Sequence, residues 1–118
     1  MEYNEPTTVG LTPTTKPKLK ALKEDGHFGE EKDAYIFAVS LALRCGAMAE
    51  RGNFGTIFNI GSLDSSKELY EAVKALRQNT DEPVYKTVER LAEWGVNELY
   101  AASETGEIDF SKWLQPEK

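Results

Sequence analysis

The chain reads as a mainly α protein, an α+β fold with a minor β element, built around one buried central helix. Three observations predict this. Residues 34–45 are apolar around nearly a whole helical circumference. Two later segments, after Ser65 and after Pro83, carry apolar residues at helical spacing on one side only. Just one run, residues 56–60, has a clear strand character, so one or two short strands complete the fold.

With 118 residues there is room for a single domain. Residues 1–17 contain Pro6, Pro13 and Pro17, several threonines and almost no large apolar side chain. Prolines at that spacing block helix propagation and favour extended neighbours. The segment is therefore expected to be a disordered N-terminal arm that adds nothing to the core. Residues 18–118 are expected to form one helical domain.

A short helix is predicted over residues 18–24, with Leu19 and Leu22 on one side, broken by Asp25-Gly26. Phe28 anchors the turn that follows. The central helix spans residues 30–45. Glu30, Glu31 and Asp33 occupy its first turn, where they complement the helix dipole. Asp33, Ser40 and Arg44 form its narrow polar stripe, and Gly46 is a suitable stop. A helix so apolar must be covered on most sides.

The strand at residues 56–60 lies between Gly55 and Gly61. It needs a partner: either a second strand near residues 108–110 or the same strand in a second copy of the chain. Ser65 and Glu68 fit a capping box that opens a helix to about Gln78, with Leu69, Val73 and Leu76 inward. Asp81, Glu82 and Pro83 then start a helix to about Ser103. Its inner face carries Val84, Val88, Leu91, Ala92 and Leu99. Gly95 in its middle costs roughly 1 kcal/mol relative to Ala, which points to a close helix crossing or to a kink. Ile108, Phe110, Trp113 and Leu114 are expected to dock back on the body.

Chemistry is sparse. The formal net charge is −6, which argues against the whole surface binding phosphates. Lys16, Lys18, Lys20 and Lys23 nevertheless make one locally positive stretch that could touch nucleic acid or an acidic partner. The single histidine, His27, rules out a metal site of several imidazoles. The single cysteine, Cys45, rules out an internal disulfide and is expected to be a buried, inert thiol. Pairing of the two is improbable, because the central helix separates them by about 25 Å of helical rise. No calcium loop, phosphate loop or dinucleotide fingerprint occurs. Gly52-Asn53-Phe54-Gly55 matches a nucleic-acid-clamping GxxG loop only superficially, because a strand rather than a helix follows.

No catalytic, cofactor or metal residues are therefore assigned. Arg44 and Arg51 are the candidates for a small anion- or partner-binding patch, and Trp94 for a partner surface. Lys16, Lys18 and Lys20 are the candidates for contacts made by the arm. With no secretory signal, no bilayer-length apolar run and one cysteine, a cytoplasmic protein with no membrane role is expected.

Two segments carry a family resemblance. Asp25-Gly26-His27-Phe28 followed by Lys32-Asp33-Ala34-Tyr35-Ile36-Phe37-Ala38-Val39-Ser40-Leu41-Ala42-Leu43 resembles a D-G-x-F…K-D-x-x-x-F-A-x-x-L pattern. Residues 89–99 look like a helix with an E-x-x-A-x-x-G-x-x-x-L run. Both resemble a small family associated with DNA phosphorothioation (Dnd) defence systems, over about residues 25–114. That family carries clustered arginines just after the central helix; Arg44 and Arg51 are the arginines nearby here. The resemblance implies a non-enzymatic accessory or adaptor protein. Its partners would be other proteins of a DNA modification–restriction system, with DNA met at most indirectly and a homodimer left open. The alternative is a small nucleic-acid-binding regulator that uses the lysine-rich arm.

Overall fold

Helix α2 is the centre of the structure because its sequence leaves it little choice. The computed structural model describes residues 5–76, 82–106 and 108. In chain order the elements are β1 (Thr8–Leu11), α1 (Lys16–Glu24), α2 (Glu31–Cys45), β2 (Gly55–Asn59), α3 (Ile60–Leu63), α4 (Glu68–Leu76) and α5 (Val84–Ser103). The fold is thus mainly α with a small two-stranded antiparallel sheet.

Along α2, Ala34, Tyr35, Ala38, Val39, Leu41 and Ala42 are buried, while Asp33, Ser40 and Arg44 form the exposed stripe. Phe28 stacks at a tilt on Phe37, with ring centroids 5.6 Å apart, and so ties the preceding turn to the helix. Gly46, in the left-handed conformation, closes the helix as Ala47 N–H donates to the Ala42 carbonyl.

Helix α5 supplies the other half of the core through Tyr85, Val88, Leu91, Ala92, Val96 and Leu99. The two helices cross at Gly95. A Cβ there would fall 2.2 Å from the Ala38 carbonyl oxygen and 2.7 Å from its Cα. Of the two reasons for a mid-helix glycine, the close crossing is therefore the one that applies, and α5 runs unbroken from Val84 to Ser103.

The N-terminal segment corrects the sequence reading. Instead of a disordered arm at residues 1–17, residues 8–11 form β1, and Val9 and Leu11 are completely buried. Three prolines do not prevent this, because none lies within β1 and Pro17 sits in the first turn of α1, where a missing N–H is harmless. Of the predicted partner at residues 108–110, residues 109 and 110 lie outside the described residues; among the described residues the predicted strand does have a partner. It is β1, with Thr8 opposite Asn59, Val9 opposite Phe58, Gly10 opposite Thr56 and Leu11 opposite Gly55.

A bulge between Val9 and Gly10 shifts this register. At Gly10 the strands come so close that a Cβ would overlap the Gly55 carbonyl, so only glycine fits.

Three smaller expectations also change. Cys45 is exposed rather than buried, since the last turn of α2 extends past the core. The Ser65 capping box does not form. Asp64 caps α4 in its place, its carboxylate accepting from Leu69 N–H at 3.0 Å and Tyr70 N–H at 2.9 Å, with Lys67 at a positive φ between them. Leu76 is 67% exposed, not inward. Of the tail, Ile108 is buried; Phe110, Trp113 and Leu114 lie outside the described residues, as do Arg77 and Gln78 at the end of the α4 segment.

Candidate functional site

Polar residues on α5 recur every fourth position, in two columns flanking its apolar stripe. Glu89, Glu93 and Asn97 make one column; Glu82, just before the helix, Lys86 and Arg90 make the other. At 3.6 residues per turn, each column stays on one face.

The first column faces the N-terminal segment. Glu89 accepts from Gly10 N–H at 3.0 Å, and Tyr35 O–H donates to the Gly10 carbonyl at 3.0 Å. Side chains thus satisfy both backbone groups of Gly10. Glu93 accepts from Thr12 N–H at 3.1 Å, from the Thr12 hydroxyl at 2.8 Å and from the Thr15 hydroxyl at 2.6 Å. Asn97 donates to Thr15 and accepts from the Lys18 ammonium at 2.7 Å. At the start of α5, Glu5 accepts from Val84 N–H at 2.9 Å and Tyr85 N–H at 3.0 Å, a carboxylate on a helix N-terminus.

Burial pushes the Glu89 carboxyl above its usual range, against the opposing pull of Lys86 and the Gly10 amide. Its Oε1 is buried, with the Lys86 ammonium 3.4 Å away and no aligned hydrogen-bond donor among the described residues. Burial, together with the charges of Glu89 and Glu93, also raises the Tyr35 hydroxyl well above its ordinary value. Tyr85 is raised by burial and by its 2.8 Å hydrogen bond to Asp64.

The second column lines an open groove of about 350 Å³, bounded by Arg51, Gly52, Phe54, Glu82, Pro83, Lys86 and Arg90. Glu82 is its hub. It accepts from Arg51 Nε at 3.0 Å, Arg90 Nη1 at 2.8 Å and the Thr87 hydroxyl at 2.8 Å. Burial alone would raise its carboxyl, but the hydrogen bonds from Thr87 and Arg90 and the two guanidinium charges outweigh this and hold it below its usual range. Arg90 also donates to the Ala49 carbonyl at 2.9 Å, which pins the loop before β2 to α5.

The predicted residues separate accordingly. Arg51 enters the groove, whereas Arg44 is exposed on the last turn of α2 and does not line it, so the two do not frame one patch there. The chain placed Arg51 beside Arg90, not Arg44, because the loop carrying it folds back onto α5. Trp94 is half-buried: it packs against the core and stays partly exposed.

The lysines lie not on a loose arm but on α1. Lys18 is bonded to Asn97 and sits 5.5 Å from the Tyr100 ring centroid; Lys20 is 3.9 Å from Glu24; Lys16 is exposed. Glu82, Lys86, Arg90 and Phe54 were not anticipated, although the four-residue recurrence of 82, 86 and 90 was available as a signal. Among the described residues, no three His, Cys, Asp or Glu side chains converge as a metal site, and no helix is long and apolar enough to cross a membrane.

Neither a family model, nor a curated protein, nor a solved structure gives a significant match to this chain.

Proposed function

We propose that the chain is a non-enzymatic accessory or adaptor protein of a DNA modification–restriction system of the phosphorothioation type, acting through contacts with other proteins. The observation that carries this reading is the direction in which its polar groups point. The carboxylates of Glu5, Asp64, Glu89 and Glu93 are aimed at backbone amides of the chain itself. A reaction centre would instead turn converging titratable groups towards an open space.

What faces outward is a groove mixing Phe54 and Pro83 with the cations Arg51, Lys86 and Arg90. Apolar and aromatic contact ringed by arginine is the make-up of a protein-binding surface. The segments that resemble the Dnd-associated family, residues 32–43 and 89–99, fall on α2 and α5, so the likeness runs through the crossing pair that carries the fold. The reading implies a cytoplasmic protein that meets DNA at most through larger partners. A regulator using the lysine segment has less support, because α1 is held to α5 through Lys18 and Asn97.

The test is affinity purification of the tagged chain from its native host, beside a gel-shift salt series. Co-purification of identified modification or restriction proteins, lost in Arg51→Glu/Phe54→Ser with helicity unchanged, is the expected result. Direct DNA binding that weakens steeply with salt would overturn it.

A further inference from the structure

The two edges of the sheet are unlike. Along β1 the outer edge is occupied by side chains, through Glu89 on the Gly10 amide, Tyr35 on the Gly10 carbonyl and Glu93 on the Thr12 amide. Among the described residues, no strand pairs with β2 on its other side. Among the described residues, 55–58 have no backbone hydrogen bond outside their pairing with β1. An open edge normally carries a lysine or a proline that discourages strand addition. The β2 sequence, Gly-Thr-Ile-Phe-Asn, has neither, and its middle three residues favour strands.

The surroundings indicate what would add to it. Lys23, Glu30, Glu31 and Lys32 gather with Ile57, Phe58 and Ser62 around a concavity of about 340 Å³. None of these four charges is ion-paired among the described residues. A patch bearing two cations and two anions beside half-buried apolar side chains has no preference for an acidic or a basic partner. It complements itself under a two-fold axis placed so that the lysines of one copy face the glutamates of the other.

We propose that β2 pairs antiparallel with β2 of a second copy, giving a continuous four-stranded sheet across a two-fold axis. The strand has five residues, so the axis must pass close to its middle residue, Ile57, for several pairs to form. The register skips Ile57, so the bulge is carried by β2 itself and increases its local twist, and a strand with the same bulge is the one that follows it best. This inference goes beyond the adaptor reading and does not depend on it, since the purified chain alone suffices to test it.

Sedimentation of the full chain over a concentration series should show mass rising towards twice 13.2 kDa. Lys23→Glu/Lys32→Glu and Glu30→Lys/Glu31→Lys should each weaken dimerisation by roughly tenfold or more. An equimolar mixture of the two should form a heterodimer as strong as the unmodified pair, a rescue that misfolding cannot imitate. In the unmodified chain, amide exchange at Thr56, Ile57 and Phe58 should slow as the dimer forms.

A monomer throughout the series would overturn the proposal, as would dimerisation indifferent to both charge variants. So would dimerisation abolished by truncation after Ile108, which would assign the contact to the C-terminal segment.

Discussion

Gly95 lies directly on Ala38 where α5 crosses α2, with space for a hydrogen but none for a methyl group. Replacing it with alanine sets two effects against each other. Helix propensity improves by about 1 kcal/mol. Overpacking against a backbone carbonyl costs about 1–3 kcal/mol, and more where nothing flexible can yield. The obstructing atoms belong to the Ala38 backbone, so Gly95→Ala is expected to destabilise overall by about 1–2 kcal/mol in urea unfolding. A more stable variant would show that the crossing can open without loss.

Leu11 distinguishes a structural N-terminal segment from a loose one. It is fully buried on β1, so Leu11→Ala should cost about 2–5 kcal/mol, the range for a leucine truncated in a packed core. A change within about 0.5 kcal/mol, the scale of surface substitutions, would return residues 1–17 to the status of an arm.

Glu82 allows two arginines to be compared on one carboxylate. Arg90 is 18% exposed and bridges Glu82 to the Ala49 carbonyl, whereas Arg51 is 63% exposed. Arg90→Ala is expected to cost about 1–3 kcal/mol because it removes a charge-assisted hydrogen bond to the largely buried Glu82 and another to the Ala49 carbonyl. Arg51→Ala should cost less than about 1 kcal/mol. Equal losses in thermal unfolding would contradict the inner and outer roles assigned here.

The two buried carboxyls give opposite pH signatures. Glu89 has its pKa raised from 4.5, so between that value and its raised one the native state binds the extra proton and stability falls as pH rises. Glu82 is lowered from 4.5, so its contribution is present above that value and is lost as pH falls through the depressed one. Glu89→Gln keeps an acceptor for Gly10 but cannot ionise. Its stability relative to the parent should therefore improve as pH climbs from the ordinary glutamate range, then level off. A difference flat with pH would remove Glu89 as the source.

Much of the helical frame was legible because burial writes itself as periodicity. The all-round apolar run of α2, the one-sided stripe of α5 and the stop at Gly46 each follow from side chains acting within one helix. The N-terminal strand was not legible, for the opposite reason. Thr8, Val9, Gly10 and Leu11 hold too few apolar residues to announce a strand, and their burial depends on carboxylates about 80 residues away on α5. The groove was half legible. Arg51 was singled out, but Glu82, Lys86 and Arg90 look like an ordinary solvated helix face until the loop before β2 is folded over them. Cys45 misled because an apolar neighbourhood in sequence continued past the point where the core ends in space.

The bonds from Glu5 and Gly10 to the opening turns of α5 span 79 and 80 positions of chain. Synthesis delivers β1 well before its strand partner β2, at residues 55–59, and longer still before its acceptors Glu89 and Glu93. Until α5 is made, Val9 and Leu11 lack the cover they have in the finished fold. Folding of this molecule is therefore expected to be slow for its helix content and to close in one late step, in which β1 docks against α5 across the whole length of chain between them.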